Sequence, residues 1–152
     1  MRTQQFERRQ VLTFLGALAA AGFVVPRAAF ANWDKAAFEA KTVDDALKAL
    51  GAGTPASSGD VQIIASDIAE NGAVVPVQAV SKLPNTERIA IMVEKNPNML
   101  AAAFDIGPET IPEVTARIKM GQTSNVLVVV KADGKFYSAA KEIKVTLGGC
   151  GG

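Results

Sequence analysis

Asn125-Val126-Leu127-Val128-Val129-Val130-Lys131-Ala132 runs into Asp133-Gly134 and out again through Lys135-Phe136-Tyr137-Ser138. The first half is a short continuous run of Val and Leu, which reads as a strand of the buried type. Asp-Gly between two such runs is a hairpin turn, because both residues tolerate positive φ. The neighbouring segments repeat the theme. Ile143-Lys144-Val145-Thr146-Leu147 alternates and closes the domain, and Glu113-Val114-Thr115-Ala116-Arg117-Ile118-Lys119 puts Val114, Ala116 and Ile118 on one face. Arg88 to Glu94 is a strand bounded by Pro84-Asn85 and Asn96-Pro97-Asn98, and Met99 to Ile106 is a further segment before Gly107-Pro108.

Earlier in the chain, Val61-Gln62-Ile63-Ile64 begins a strand, and Asp67 to Ala69 leads into the turn signal Glu70-Asn71-Gly72. Ala73 to Val80 follows. Pro76 cannot donate to a ladder, so this strand is expected at an edge or bulged, where the apolar Val74-Val75-Pro76-Val77 could meet a partner. Six to seven short strands, with turn signals about every 8–12 residues and no helix between them, predict an immunoglobulin-like antiparallel β-sandwich.

Residues Asn32 to Gly51 read as a short N-terminal helical region. Thr42-Val43-Asp44-Asp45 offers an N-cap with negative charge at the positive helix end. Ala46, Leu47 and Leu50 form an apolar stripe, and Gly51 suits the residue after the cap. Trp33 and Phe38 are expected as packing contacts. Gly51 to Gly59 is a small-residue loop.

The first thirty-one residues read as an export signal. Arg2 and the pair Arg8-Arg9 precede an apolar run from Val11 to Val25, and Ala29-Phe30-Ala31 fits a cleavage site before Asn32. Glu7-Arg8-Arg9-Gln10-Val11-Leu12 resembles the twin-arginine motif, with Glu7 and Val11 in place of its usual serine and phenylalanine, so a general secretory route stays open. The apolar run is shorter than the about 20 residues of a membrane span. The expected organisation is a signal at 1–31, a sandwich domain at 32–147 and an arm at 148–152. The expected destination is the bacterial periplasm, with no membrane association after cleavage.

Composition narrows the chemistry. The chain has 16 basic and 15 acidic residues; Arg2, Arg8, Arg9, Arg27 and Glu7 leave with the signal, so 12 basic and 14 acidic remain. A slightly negative body without a basic run argues against nucleic acid as partner. With no histidine and one cysteine, nitrogen- and sulfur-based metal ligation within this chain is excluded. So is any nucleophile activated by its own imidazole.

That one cysteine stands in Gly148-Gly149-Cys150-Gly151-Gly152. Four glycines cannot hold a thiol in a packed core, since glycine loses the most conformational entropy on ordering. Such a tail is a flexible tether whose mean span grows as roughly 5–6 Å times the square root of its residue count. From Val145 to Cys150 it would span about 12 Å on average and about 17 Å at full extension. An ordinary thiol titrates near about 8.5, and the nearest basic residue in sequence, Lys144, is six positions away. The tail therefore reads as a covalent attachment point rather than an active site, set against the plainer reading of an incidental exposed thiol. Other candidates are weaker. Met92, Met99 and Met120 read as core methionines, and Asp44 with Asp45, or Glu109 with Glu113, as solvated charges.

The export signal, the short helix, the strand pattern and the terminal Gly-Gly-Cys-Gly-Gly together resemble the SoxY family, the sulfur-carrier subunits of bacterial thiosulfate oxidation. Glu70-Asn71-Gly72 with Val75-Pro76 is also similar to that family, and the terminal pentapeptide is the most specific element. The resemblance implies a non-enzymatic carrier. Thiosulfate is joined oxidatively to Cys150 by a partner c-type haem enzyme, a dimanganese hydrolase releases sulfate, and a molybdenum–haem sulfur dehydrogenase, where present, oxidises the sulfur left behind. It also implies a heterodimer with a second small β-sandwich subunit, SoxZ. Haem, manganese and molybdenum then belong to partners, with no cofactor in this chain; Gly148, Gly149, Gly151 and Gly152 form the arm.

Two other classes stay open on the residues. A terminal Gly-Gly is similar to ubiquitin-like carriers, which form a C-terminal thiocarboxylate in the cytosol. A periplasmic adhesion or interaction module with an incidental thiol is the plainest alternative.

Overall fold

The structure is a computed structural model and describes residues 34–146. The export segment 1–31, Trp33, Leu147, and Gly148, Gly149, Cys150, Gly151 and Gly152 lie outside the described residues. Two helices come first, α1 (Lys35–Glu39) and α2 (Val43–Ala49). Nine strands follow: β1 (Ala56–Ser57), β2 (Val61–Ile64), β3 (Ile68–Ala69), β4 (Val75–Ser81), β5 (Thr86–Val93), β6 (Leu100–Asp105), β7 (Glu113–Ile118), β8 (Ser124–Ala132) and β9 (Lys135–Val145).

The larger sheet has the order β1-β9-β8-β5-β6, with β3 also pairing β9; the smaller has the order β2-β4-β7. The two sheets pack face to face as the expected sandwich. Ile89, Ile91 and Val93 of β5, Val126, Val128 and Val130 of β8, and Ile143 of β9 meet Val61, Val75, Val77, Ala79 and Ile118 of the smaller sheet. This is the period-two rule of a pleated strand.

The outer face of the larger sheet is covered as well. Ala90, Met92, Leu100 and Val129 pack beneath Ala37, Ala46 and Leu47 of the helices. The molecule thus has three layers, helices on sheet on sheet, and β8 reads as a continuous apolar run because both its faces are buried. Met92 and Met120 are fully buried in separate clusters, with Met99 half-buried near the first and Phe38 against the helical cluster.

Local signals in the helical region are realised in detail, although it is two helices rather than one. Thr42 Oγ1 accepts from the Asp45 amide at 3.1 Å, and its hydroxyl reaches Asp45 Oδ2 at 2.7 Å. At the other end Gly51 donates to the Lys48 carbonyl at 2.9 Å and Ala52 to Leu47 at 2.8 Å. This pair of bonds is a Schellman cap, which requires the left-handed φ of +71° at Gly51. A Cβ on Gly51 would meet nothing within 4 Å, so Gly51→Ala isolates the backbone strain. It should lower stability by about 1 kcal/mol, read as a lower urea midpoint at unchanged slope.

Three expectations are revised. β4 is the middle strand of its sheet, not an edge. Pro76 fits because β2 pairs only with Gln78 to Ser81, leaving the Val75–Val77 half with a strand, β7, on one side alone. Lys135 to Ser138 and the segment from Ile143, read as two strands, are one eleven-residue strand, Lys135–Val145, paired to β8 over 135–143. The sandwich is not purely antiparallel, since β1 and β3 both add to β9 in parallel. The Asp133-Gly134 hairpin is as expected, with φ of +48° and +70°, the signature of a type I′ turn. Asn71-Gly72 instead closes a turn through the Asn71 side chain, which accepts from the Ala73 amide at 2.9 Å.

Candidate functional site

The candidate attachment residue Cys150 and the glycines around it lie outside the described residues, so the site's geometry is that of its root. The root is the last turn of β9. Ile143 is fully buried and sits opposite Ser124. Beyond it, each backbone amide of the next three residues has a partner. Lys144 donates to the Asp67 carbonyl at 2.9 Å, Val145 to Thr123 Oγ1 at 3.0 Å, and Thr146 to the Ala69 carbonyl at 3.1 Å. Thr146 Oγ1 also donates to the Glu70 carbonyl at 3.2 Å. The outer side of the strand is therefore strapped by 65–70 and its end is held by Thr123.

The strap is tied down by charge. Lys141 Nζ lies 2.9 Å from Asp67 Oδ1 and donates to the Ala65 carbonyl at 2.6 Å. The hydrogen bond and the positive charge of Lys141, with Lys144 beyond, hold the Asp67 carboxyl below its usual range. Its folded pKa then lies below its unfolded one. The bridge therefore contributes above the unfolded pKa and is lost as pH falls through the folded one. Carboxyl NMR should show Asp67 titrating below the ordinary carboxylate range, and Lys141→Met should move it upward.

Three loops gather at this end. Asn96 Nδ2 donates to the Lys119 carbonyl at 2.6 Å, and Gly121 donates back to Asn96 Oδ1 at 3.2 Å. Met120 donates to the Gly72 carbonyl at 2.7 Å. Lys95 donates from its backbone to Ser124 Oγ at 3.1 Å. Asp67 to Gly72 reads in the sequence only as a lead into a turn. The anchoring of the strand end by Thr123, Glu70 and the strap escaped the sequence reading, because a hydroxyl in a short loop and a two-residue parallel strand carry no local signal.

Among the described residues no three His, Cys, Asp or Glu side chains come together as a metal site. Asp44 and Asp45 stay at the helix start, and Glu109 and Glu113 are exposed, the latter accepting from Gln78 at 2.5 Å. The described residues offer a fixed anchor; the one thiol of the chain lies four residues past Thr146 in the sequence.

Comparison with known proteins bears on what hangs from that anchor. The family model "Sulfur oxidation protein SoxY" matches residues 46–150. No match was found among curated proteins. Among solved structures, the sulfur carrier protein SoxY from Chlorobium limicola f. thiosulfatophilum is similar, with a TM-score of 0.63 and 42% identity. That alignment covers 74% of this chain and 97% of the other. A superoxide reductase (neelaredoxin) from Ignicoccus hospitalis, at 21% identity and a TM-score of 0.50, covers 64% of this chain and 86% of its own. That likeness is one of fold alone.

Proposed function

The chain belongs to the SoxY family of sulfur-oxidation proteins, and from this we propose that it carries sulfur in sulfur oxidation with Cys150 as its covalent attachment point. The observation that carries the reading is that the family match runs as far as Cys150, the only thiol in the chain. The body supplies position. Every amide of 144–146 is held, so whatever follows starts from a fixed point. Gly148, Gly149, Gly151 and Gly152 serve as the arm, whose lack of side chains lets the thiol enter narrow sites on other proteins.

In this reading the Cys150 thiolate and thiosulfate form an S–S bond, giving a cysteine S-thiosulfonate, and the electron pair passes to a c-type haem partner. Water then cleaves the terminal S–S bond at a dimanganese hydrolase, releasing sulfate and protons and leaving a persulfide on Cys150. A molybdenum–haem sulfur dehydrogenase would oxidise that persulfide in turn. The chain itself is acted upon and performs no catalysis. We further propose a heterodimer with a SoxZ-type subunit and, from Arg8-Arg9 and Ala29-Phe30-Ala31, a periplasmic location.

Intact mass spectrometry of the protein from cells grown with and without thiosulfate tests this. The expected result is reductant-labile sulfur adducts on the C-terminal peptide, present only with thiosulfate. A bare thiol, or a simple interchain disulfide under thiosulfate, would return the protein to the interaction-module class.

A further inference from the structure

Three methionines fall within the described residues, and their surroundings differ. Met92 and Met120 have no exposed surface, so their sulfurs are shut off from solutes. Met99, in the turn between β5 and β6, is half-buried and packs against the cluster that joins the helices to the larger sheet. Peroxides oxidise thioethers, and access to the sulfur decides which one reacts first.

Met99 also stands where the helical layer is fastened. Its amide donates at 3.3 Å to the carbonyl of Ala40, in the link between α1 and α2. Its own carbonyl accepts from the Val93 amide at 2.8 Å. The adjacent Asn98 Oδ1 accepts from Lys41 Nζ. Residues 40 and 41 are thus clipped to 99 and 98.

The helices depend on that packing. They are five and seven residues long, short of the about 12–15 at which an isolated helix becomes marginal. The buried residues of 35–49 are Ala37, Ala40, Ala46 and Leu47, and three alanines bury little area. Much of the cluster's apolar bulk comes from larger side chains, Leu47, Met92, Leu100 and Met99 among them. One oxygen on Met99 turns a flexible apolar side chain into a polar, chiral one. A polar group without a partner is unfavourable in such a contact.

We propose that Met99 is a site of reversible sulfoxidation by peroxides, and that its sulfoxide releases the helical layer from the larger sheet. The thioether sulfur takes one oxygen atom as the peroxide O–O bond breaks. Sulfur is oxidised by two electrons, and hydrogen peroxide leaves as water. The inference is independent of what Cys150 carries.

The test uses Cys150→Ser protein, which removes the competing thiol. It is treated with hydrogen peroxide and mapped by peptide mass spectrometry. The expected first product among these three residues is one added oxygen on Met99, with Met92 and Met120 unmodified. Hydrogen exchange reads the consequence. The Ala46 and Leu50 amides, bonded to the Thr42 and Ala46 carbonyls, should exchange about tenfold faster, while those of β8 stay unchanged. Methionine sulfoxide reductases of both stereospecificities should restore the original rates. Met99→Leu conserves the packing volume, and its helix exchange should not respond to peroxide. Oxygen uptake at Met92 or Met120 as fast as at Met99, or none at Met99, would overturn the assignment. Full Met99 sulfoxide with unmoved helix exchange would overturn the release, as would equal acceleration in treated Met99→Leu.

Discussion

Cys150→Ser, made with Gly151 and Gly152 in place, is expected to abolish sulfur carriage while leaving the fold unchanged. Every intermediate in the proposed cycle hangs from a sulfur–sulfur bond to this chain, and Cys150 is its only thiol. A serine hydroxyl forms no such bond and stays protonated at neutral pH, so the loss should be complete rather than graded. The structural cost should be slight. The described residues end at Thr146, whose amide and hydroxyl both bond within 34–146, so none of these contacts involves Cys150, and substitutions away from such features cost within about 0.5 kcal/mol. Intact mass after exposure to thiosulfate-grown periplasm, alongside a melting curve, checks both halves. A thiocarboxylate carrier would behave oppositely, since its terminal Gly151-Gly152 survives the substitution. Persistent labile sulfur in the variant would therefore sink the Cys150 assignment.

Ile143→Ala should give the largest loss of stability along β9, about 2–5 kcal/mol. Ile143 has no exposed surface and belongs to the cluster between the two sheets. Removing its outer carbons forfeits their burial and opens a hole that a close-packed core cannot fill. A domain of this size holds about 5–15 kcal/mol in total, and each kcal/mol is worth about 4–8 °C in melting temperature, so the drop should exceed about 8 °C. The neighbouring Glu142 is exposed, and Glu142→Ala should stay within about 0.5 kcal/mol. Hydrogen exchange adds a local readout. The Lys144, Val145 and Thr146 amides bond to the strap and to Thr123, and they should exchange much faster in Ile143→Ala than in Glu142→Ala. Equal melting temperatures in the two variants would contradict the packing described for β9.

The two effects separate the roles within a few residues of chain. Ile143 anchors and, in the proposed cycle, Cys150 carries. Between them, the hydrogen bonds of 144–146 turn a strand end into a fixed pivot. A carrier benefits from that division, because a short arm delivers its cargo accurately only if its origin does not wander.

Much of this was legible in the sequence, wherever the information is local. The Thr42 cap and the Gly51 terminator each act over three to five residues, and both formed as read. The alternation of Val114, Ala116 and Ile118 named the inward face of β7, and Asp133-Gly134 named its turn, because period and φ preference are properties of the segment itself. The thiol among glycines was equally plain, since no packing argument can hide a cysteine there. Only tertiary structure decided the rest. The helices cover the outer face of the larger sheet, a placement the strand pattern alone did not specify. β4 became a middle strand despite Pro76, because β2 stops short of it. Lys141 finds Ala65, and Thr146 finds Glu70, each across 76 residues of sequence. Such contacts join backbone carbonyls and side chains of no distinctive local pattern, and they exist only once both sheets have closed on the shared core.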